Sequence, residues 1–426
     1  MKKIFLLLLF VLYIPCIYTK PLKKAVPALV IAPIKDLQVP TSRSTRDKPC
    51  TKQLVCTRIH QLLFNEIVYL VAKKGDQVKV YIPNMFYVSK TKPEKLLSVF
   101  WTSKHNLIPL SALIPRLDKI KQCPKICEKT KRKKSEILKP CRLLKHKIKP
   151  NTMFIPKPID HRLRNIERAN KNIVTLYMPF HDPTTKTTFS AGTRFVKTKE
   201  QSIQNHATVY IYNPKTTSFK TIHIPKSVCV KQLKTNKEKR KQFLRIIKQW
   251  AHLPHGYIPY VWGGNSFTHA RKDKRKKYNK YNLDKYIIPD TTIKPASGLD
   301  CSGLILRAAQ ICNINYFYKN SRTLKRYLKP IYQVKDLRNG DLIYYSGHVM
   351  IVSDIKNNKL LESKVNEYDI SRVREINLNQ AFQKIKTYKQ LFNTTKKKMV
   401  NRLDINGNII KRIKIGGVRF FKLINS

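Results

Sequence analysis

The sequence predicts an α+β chain in which a strand-rich first half precedes a C-terminal domain of mixed helices and strands. Three observations predict it. Short alternations of apolar and polar residues, separated by turn signals, fill residues 54–115 and 166–232. Residues 235–253 carry Phe243, Ile246, Ile247, Trp250 and Ala251 on one helical face, with Lys and Arg on the other. After residue 298, a helical pattern that opens at Cys301 is followed by strand-like runs at Leu342-Ile343 and from Val349 to Val352.

Taken in order, the chain opens with Met1-Lys2-Lys3 and an apolar run from Ile4 to Ile14, too short to span a bilayer comfortably. Residues 1–19 therefore read as a signal peptide, and the Pro-, Lys-, Ser- and Thr-rich residues 20–53 as a linker. Ile67 to Val71, the turn at Gly75-Asp76 and the alternation of Val78, Val80 and Ile82 predict a hairpin inside a first small barrel, 54–115. Residues 116–165 are dense in Lys and Arg and bounded by prolines, and read as a basic linker. Strand-like runs return at Ile173, Gly192, Ala207 and Phe219, predicting a second barrel over 166–232. The C-terminal domain is expected over 235–426, with residues 265–297 as a basic surface insertion.

The charge balance is extreme: 86 Lys and Arg against 25 Asp and Glu give +61. A 42% hydrophobic content excludes a disordered chain. The lysines carry no zinc-finger spacing and lack the interleaved aromatics of a stacking platform, so nucleic acid is not the expected partner. Anionic membrane and anionic cell-wall polymer stay open as attractors, beside a general lysine bias with a solvated surface and no single partner. Among the nine cysteines, Cys50/Cys56 and Cys123/Cys127 are spaced for local disulfides, while Cys312 reads as core. A zinc site from Cys123, Cys127, Cys141 and His146 is the alternative to disulfides, although their spacing matches no standard pattern, and the chemistry expected at Cys301 requires no metal or organic cofactor.

The chemistry gathers at Ser297-Gly298-Leu299-Asp300-Cys301-Ser302-Gly303. A cysteine at a helix start is placed to favour its thiolate through the helix dipole and free N–H groups. His348, opening a strand after Gly347, is the base expected to face it. Tyr260-Val261-Trp262-Gly263-Gly264 upstream, Asp300-Cys301-Ser302-Gly303-Leu304, Gly340-Asp341-Leu342 and Gly347-His348-Val349 in that order resemble the NlpC-type cell-wall cysteine peptidases. The resemblance implies a papain-like C-terminal domain, and the upstream strand runs are similar to the bacterial SH3-like barrels that precede such domains. It further implies a cysteine endopeptidase acting on peptidoglycan stem peptides, at the bond between γ-D-glutamate and the diamino acid, through Cys301, His348 and a polar third residue.

Counting across the turn after His348 places Glu362 third, with Asp354 the next candidate and a lysine-paired surface glutamate the alternative reading. By the same resemblance, Tyr260, Asp300 and Ser302 bind substrate, the last two through its free amine, and Glu66 and Tyr87 reach over from the first barrel. Peptidoglycan or its stem-peptide fragments are the expected partners, for a monomer without a membrane span, in the periplasm, cell envelope or outside the cell. Two rivals stand beside this reading: a catalytically silent wall-binding protein, and a cysteine amidase or acyltransferase on the same fold.

Overall fold

In the computed structural model the described residues are 20–40, 56–82, 85–88, 96–110, 112, 172–198, 203–213, 218–272, 286–287, 295–316, 319–365 and 371–424. The leader read at 1–19, the basic stretch 116–165, most of the 265–297 insertion and Cys16, Cys50, Cys123, Cys127 and Cys141 lie outside them.

Seven N-terminal strands form one antiparallel sheet: β1 (Lys20–Val30), β2 (Ile34–Pro40), β3 (Cys56–Leu63), β4 (Ile67–Lys74), β5 (Gln77–Tyr81), β6 (Val99–Ser103) and β7 (Leu107–Pro109). Tyr286–Ile287 adds an eighth strand at the β3 edge, and the order runs Tyr286–Ile287, β3, β2, β6, β5, β4, β1, β7. The turn between β4 and β5 falls where Gly75 can take φ +54°, and Lys74 pairs with Gln77 across it. Two strands occupy the stretch whose composition reads as a linker. Ala28, Val30 and Leu37 are fully buried there, against Leu62, Val68 and Val80. The sheet is open, with Tyr286–Ile287 and β7 at its edges.

The second strand-rich unit holds three two-stranded ladders: β8 (Ile173–Thr175) with β11 (Arg194–Val196), β9 (Phe180–Asp182) with β10 (Thr187–Phe189), and β12 (His206–Asn213) with β13 (Ser218–Pro225). Phe189, Phe195, Val209, Ile211, Ile222 and Ile224 make its core, into which Phe64 projects, its ring centroid 5.1 Å from that of Phe189. Neither strand-rich unit forms a closed barrel among the described residues.

Helix α1 (Asn236–Ala251) starts at a capping box between Thr235 and Glu238 and buries Phe243, Ile246, Ile247 and Trp250. After it come β14 (Asn265–Ser266), β15 (Gly298–Leu299), α2 (Cys301–Ile311), α3 (Ser321–Tyr327), β16 (Pro330–Ile331), β17 (Leu342–Tyr345), β18 (His348–Asp354), β19 (Lys359–Lys364) and β20 (Arg372–Asn377). The chain ends with α4 (Leu378–Ala381), α5 (Tyr388–Lys397), β21 (Val400–Leu403), β22 (Ile409–Ile413) and β23 (Arg419–Phe421). Six of these strands form an antiparallel sheet in the order β16, β23, β17, β18, β19, β20. Alternation along β18 divides the domain into two cores. Val349 and Ile351 pack with α1 and α2, whereas Met350 and Val352 pack with α4 and α5.

The motif glycines bring backbones together. A Cβ at Gly303 would stand 2.0 Å from the Gly264 carbonyl oxygen, and one at Gly264 would stand 2.4 Å from that of Gly298. The Trp-Gly-Gly turn is thereby pressed onto the start of α2. Gly303→Ala is expected to lower the unfolding free energy by about 1–3 kcal/mol despite the better helix former, because overpacking outweighs propensity. Chemical denaturation of parent and variant measures the difference.

Candidate active site

Asp300 is the N-cap of α2 and accepts the Gly303 N–H at 2.5 Å on Oδ1. The same oxygen accepts the Ser302 hydroxyl at 2.8 Å, and Oδ2 accepts Lys319 Nζ at 2.8 Å. Lys319 is 1% exposed, so its ammonium and the Asp300 carboxylate form a buried pair. Asp300 and Ser302, expected to bind a substrate amine, are thus engaged with each other and with a cation from the chain itself.

Cys301 begins α2 as expected, and its surroundings act against the thiolate that a helix start favours. Burial, reinforced by the Asp300 charge, pushes the thiol from 9.0 up to about 12, against the N–H groups of Val349 and Ser302 and the charge of Lys319. A helix start supplies ~0.3–1 kcal/mol, under one pKa unit, and cannot offset that. The neighbour of Cys301, Val349, is the residue after His348, so α2 delivers the sulfur to the first turn of β18.

His348 Nε2 lies 2.9 Å from Glu362 Oε2. An ionised carboxylate only accepts, so Nε2 carries the proton and Nδ1 is the basic nitrogen. Burial holds the imidazole below its ordinary value, although the bond and charge of Glu362 act to raise it. Glu362 is fully buried. Arg402 Nη2 donates to both its oxygens, at 2.7 and 2.6 Å, and Arg374 donates to Oε1 from Nε at 3.1 Å and Nη2 at 2.8 Å. Burial acts to raise this carboxyl, but Arg402, the His348 hydrogen bond and Arg374 together hold it well below the usual carboxylate range. Tyr345 closes the group, its ring centroid 5.4 Å from that of His348 and its phenol pushed up to about 12 by burial. Asp354, the other third-position candidate, faces away and accepts from Asn357.

Tyr260 is buried, and its backbone N–H bonds Ser371 O, which lays the Tyr-Val-Trp-Gly-Gly segment beside the start of β20. Glu66 does not reach the nucleophile: its Oε1 accepts Arg307 Nη1 at 2.8 Å, tying β3–β4 to α2. Tyr87 packs edge-on to Phe100 of the eight-stranded sheet. Its neighbours make the contact instead, Phe86 O accepting the Lys319 N–H and Val88 N–H bonding Thr323 Oγ1.

A cysteine at a helix start, an imidazole on the adjoining strand and a carboxylate behind it are the groups that nucleophilic chemistry at sulfur calls for. The model of the NlpC/P60 family matches residues 257–387. The match covers less than half of the 426 residues and supports an NlpC/P60 cell-wall peptidase domain in the C-terminal part. No curated protein and no solved structure gives a significant match. No helix among the described residues is long and apolar enough to cross a membrane.

Three residues at the NlpC/P60 site escaped the sequence reading: Lys319, Arg374 and Arg402. Arg374 stands directly opposite Glu362 in the β19–β20 register, a cross-strand opposite-charge pair that counting could find. Lys319 and Arg402 carry no local signal; in a chain with 86 Lys and Arg, two more basic residues look like surface.

Two measurements follow from these charges. Alkylation of Cys301 by iodoacetamide, followed by mass spectrometry, is expected to keep rising across about pH 6–9 without the plateau of a preformed thiolate. Because Glu362 titrates lower folded than unfolded, its stabilisation is present above the unfolded value of about 4.3 and lost as pH falls below it. Parent protein should exceed Glu362→Gln in unfolding free energy by about 3 kcal/mol at neutral pH, with the gap narrowing in acid. Denaturation at stepped pH checks both the size and the sign.

Proposed function

We propose that this chain is an exported cysteine endopeptidase that hydrolyses peptidoglycan stem peptides at the bond between γ-D-glutamate and the diamino acid. The observation that carries the reading is the hydrogen bond of His348 to a buried Glu362 beside the strand turn that meets Cys301. In this reading the Cys301 thiol passes its proton to His348 Nδ1 as sulfur attacks the scissile carbonyl carbon. The oxyanion is met by the backbone N–H of Cys301 at the helix start, with Tyr260 bordering the substrate. His348 then protonates the leaving amine, the C–N bond breaks, and a thioester remains on Cys301. Water loses a proton to His348 and attacks the thioester, releasing the acid and restoring the thiol.

Glu362 orients the ring in this scheme and Asp300 caps the helix, its charge already met by Lys319. The expected location is the periplasm, envelope or exterior, where the net charge of +61 draws the protein to anionic wall material.

Mass spectrometry of L-Ala-γ-D-Glu-diaminopimelate and of intact sacculi, incubated with purified protein, tests the reading. Cleavage after γ-D-Glu should fall at least about a thousand-fold in Cys301→Ala or His348→Ala. If the parent releases nothing from either substrate yet still sediments with sacculi, the chain is a silent wall-binding protein.

A further inference from the structure

One of the two arginines that meet Glu362 comes from beyond residues 257–387. We propose that the C-terminal hairpin β21–β22 is a working part of the active site, in which Arg402, together with Arg374, cancels the charge of Glu362 so that the carboxylate orients His348 without driving its protonation. The inference rests on reading His348 as the proton carrier.

The geometry is specific to that task. Arg402 Nη2 bridges both carboxylate oxygens, including the one that receives His348. Its Nη1 donates to Ala381 O at 2.6 Å, and its guanidinium lies 5.3 Å from the Phe382 ring centroid, so the fork is fixed from behind. The same hairpin grips the turn that presents the imidazole: Lys411 donates to Ser346 O and stands 5.1 Å from the Tyr345 ring. One hairpin therefore holds both the third residue and the strand start of the second.

The charge count supplies the reason. A single buried carboxylate beside an imidazole favours the imidazolium, which cannot accept the Cys301 proton. With two guanidiniums on the carboxylate, the group beneath His348 carries a net positive charge and favours the neutral ring. The remaining charged and titratable groups around the ring are few. Lys364, on β19 with Glu362, is itself lowered to about 8, chiefly by burial, and is flanked by Asp404. Tyr345 comes from β17 and Cys301 from α2. Lys364 and Arg402 both act against a positive imidazole.

The test reads the ring directly and needs no substrate: a 13C-Cε1 histidine titration of the full chain in a Cys301→Ala background, with His348 assigned by its loss in His348→Asn. In the parent, His348 should titrate below 6.5. Arg402→Met is expected to raise its midpoint by about one pH unit or more, Arg374→Met to raise it by less, and Arg402→Lys, which keeps the charge, to leave it in place. Glu362→Gln combined with Arg402→Met, which removes both charges, should return the midpoint toward the parent value. Arg374 borders solvent, so Arg374→Met decides the matter alone if Arg402→Met does not fold. A midpoint within about 0.2 unit of the parent in the folded arginine variants overturns the proposal and leaves Arg402 a packing residue. A parent that cuts no peptide but shows these shifts would sink the peptidase reading and keep this one.

Discussion

A carboxylate sealed from water sets the construction of the C-terminal domain. Removing Glu362 from solvent costs several kcal/mol, which only close, well-aligned partners offset. Those partners come from three elements: His348 on β18, Arg374 on β20 and Arg402 on β21. Withdrawing any of them removes part of the compensation: Arg402 meets both oxygens, Arg374 meets Oε1 and His348 meets Oε2. The segment after residue 387 is consequently no appendage. Besides Arg402 it supplies β23, which lies between β16 and β17 inside the six-stranded sheet. The matched NlpC/P60 residues and the C-terminal segment fold as one sheet around one ion cluster.

A second set of polar contacts locks the nucleophile's helix to the N-terminal sheet. Gln61, fully buried on β3, spends its whole amide on the junction. Its Oε1 accepts the Asn265 N–H and the Ser266 hydroxyl, while Nε2 donates to Asp36 Oδ1 and Ala296 O. Arg307, on α2, answers from the other side with bonds to Asn265 O, Gln61 O and Glu66. Buried polar groups hold their geometry because every alternative leaves one unsatisfied. The N-terminal sheet thus fixes where the helix start points, and the residues expected to touch substrate from this side serve that purpose instead. Glu66 holds Arg307, and the backbone around Tyr87 holds Lys319 and α3.

What the sequence made legible follows from how local each signal is. The α1 face, the start of α2 at Cys301 and the strand at His348 rest on spacing within one element, and the structure has all three. The place of Glu362 was readable because a short turn and a strand register convert a residue count into a position. The strands at Lys20–Val30 and Ile34–Pro40 were hidden because their prolines and lysines imitate a linker, and only distant partners in β4 and β3 define them. The effect of burial on Cys301 was hidden for a related reason. A helix dipole is visible in sequence, whereas burial, the larger effect, is a property of the assembled fold.

The shortage of acidic residues joins these observations. With 25 carboxylates against 86 bases, the described acidic side chains are spent largely inside the molecule. Asp36 holds Arg58, Asp300 holds Lys319, Asp341 holds Arg240 and Glu362 holds two arginines. Glu238 and Asp404 close a helix start and a turn. Each acid in these ion pairs takes at least one base with it, so nearly all of the +61 is left to the rest of the chain. Attraction of that kind reaches about a Debye length, 8–10 Å at ordinary salt, and concentrates the protein on anionic polymer without dictating which bond is cut. The proposed affinity for the wall and the proposed chemistry at Cys301 therefore draw on separate parts of one composition: excess cations outside, and ion pairs around buried acids within.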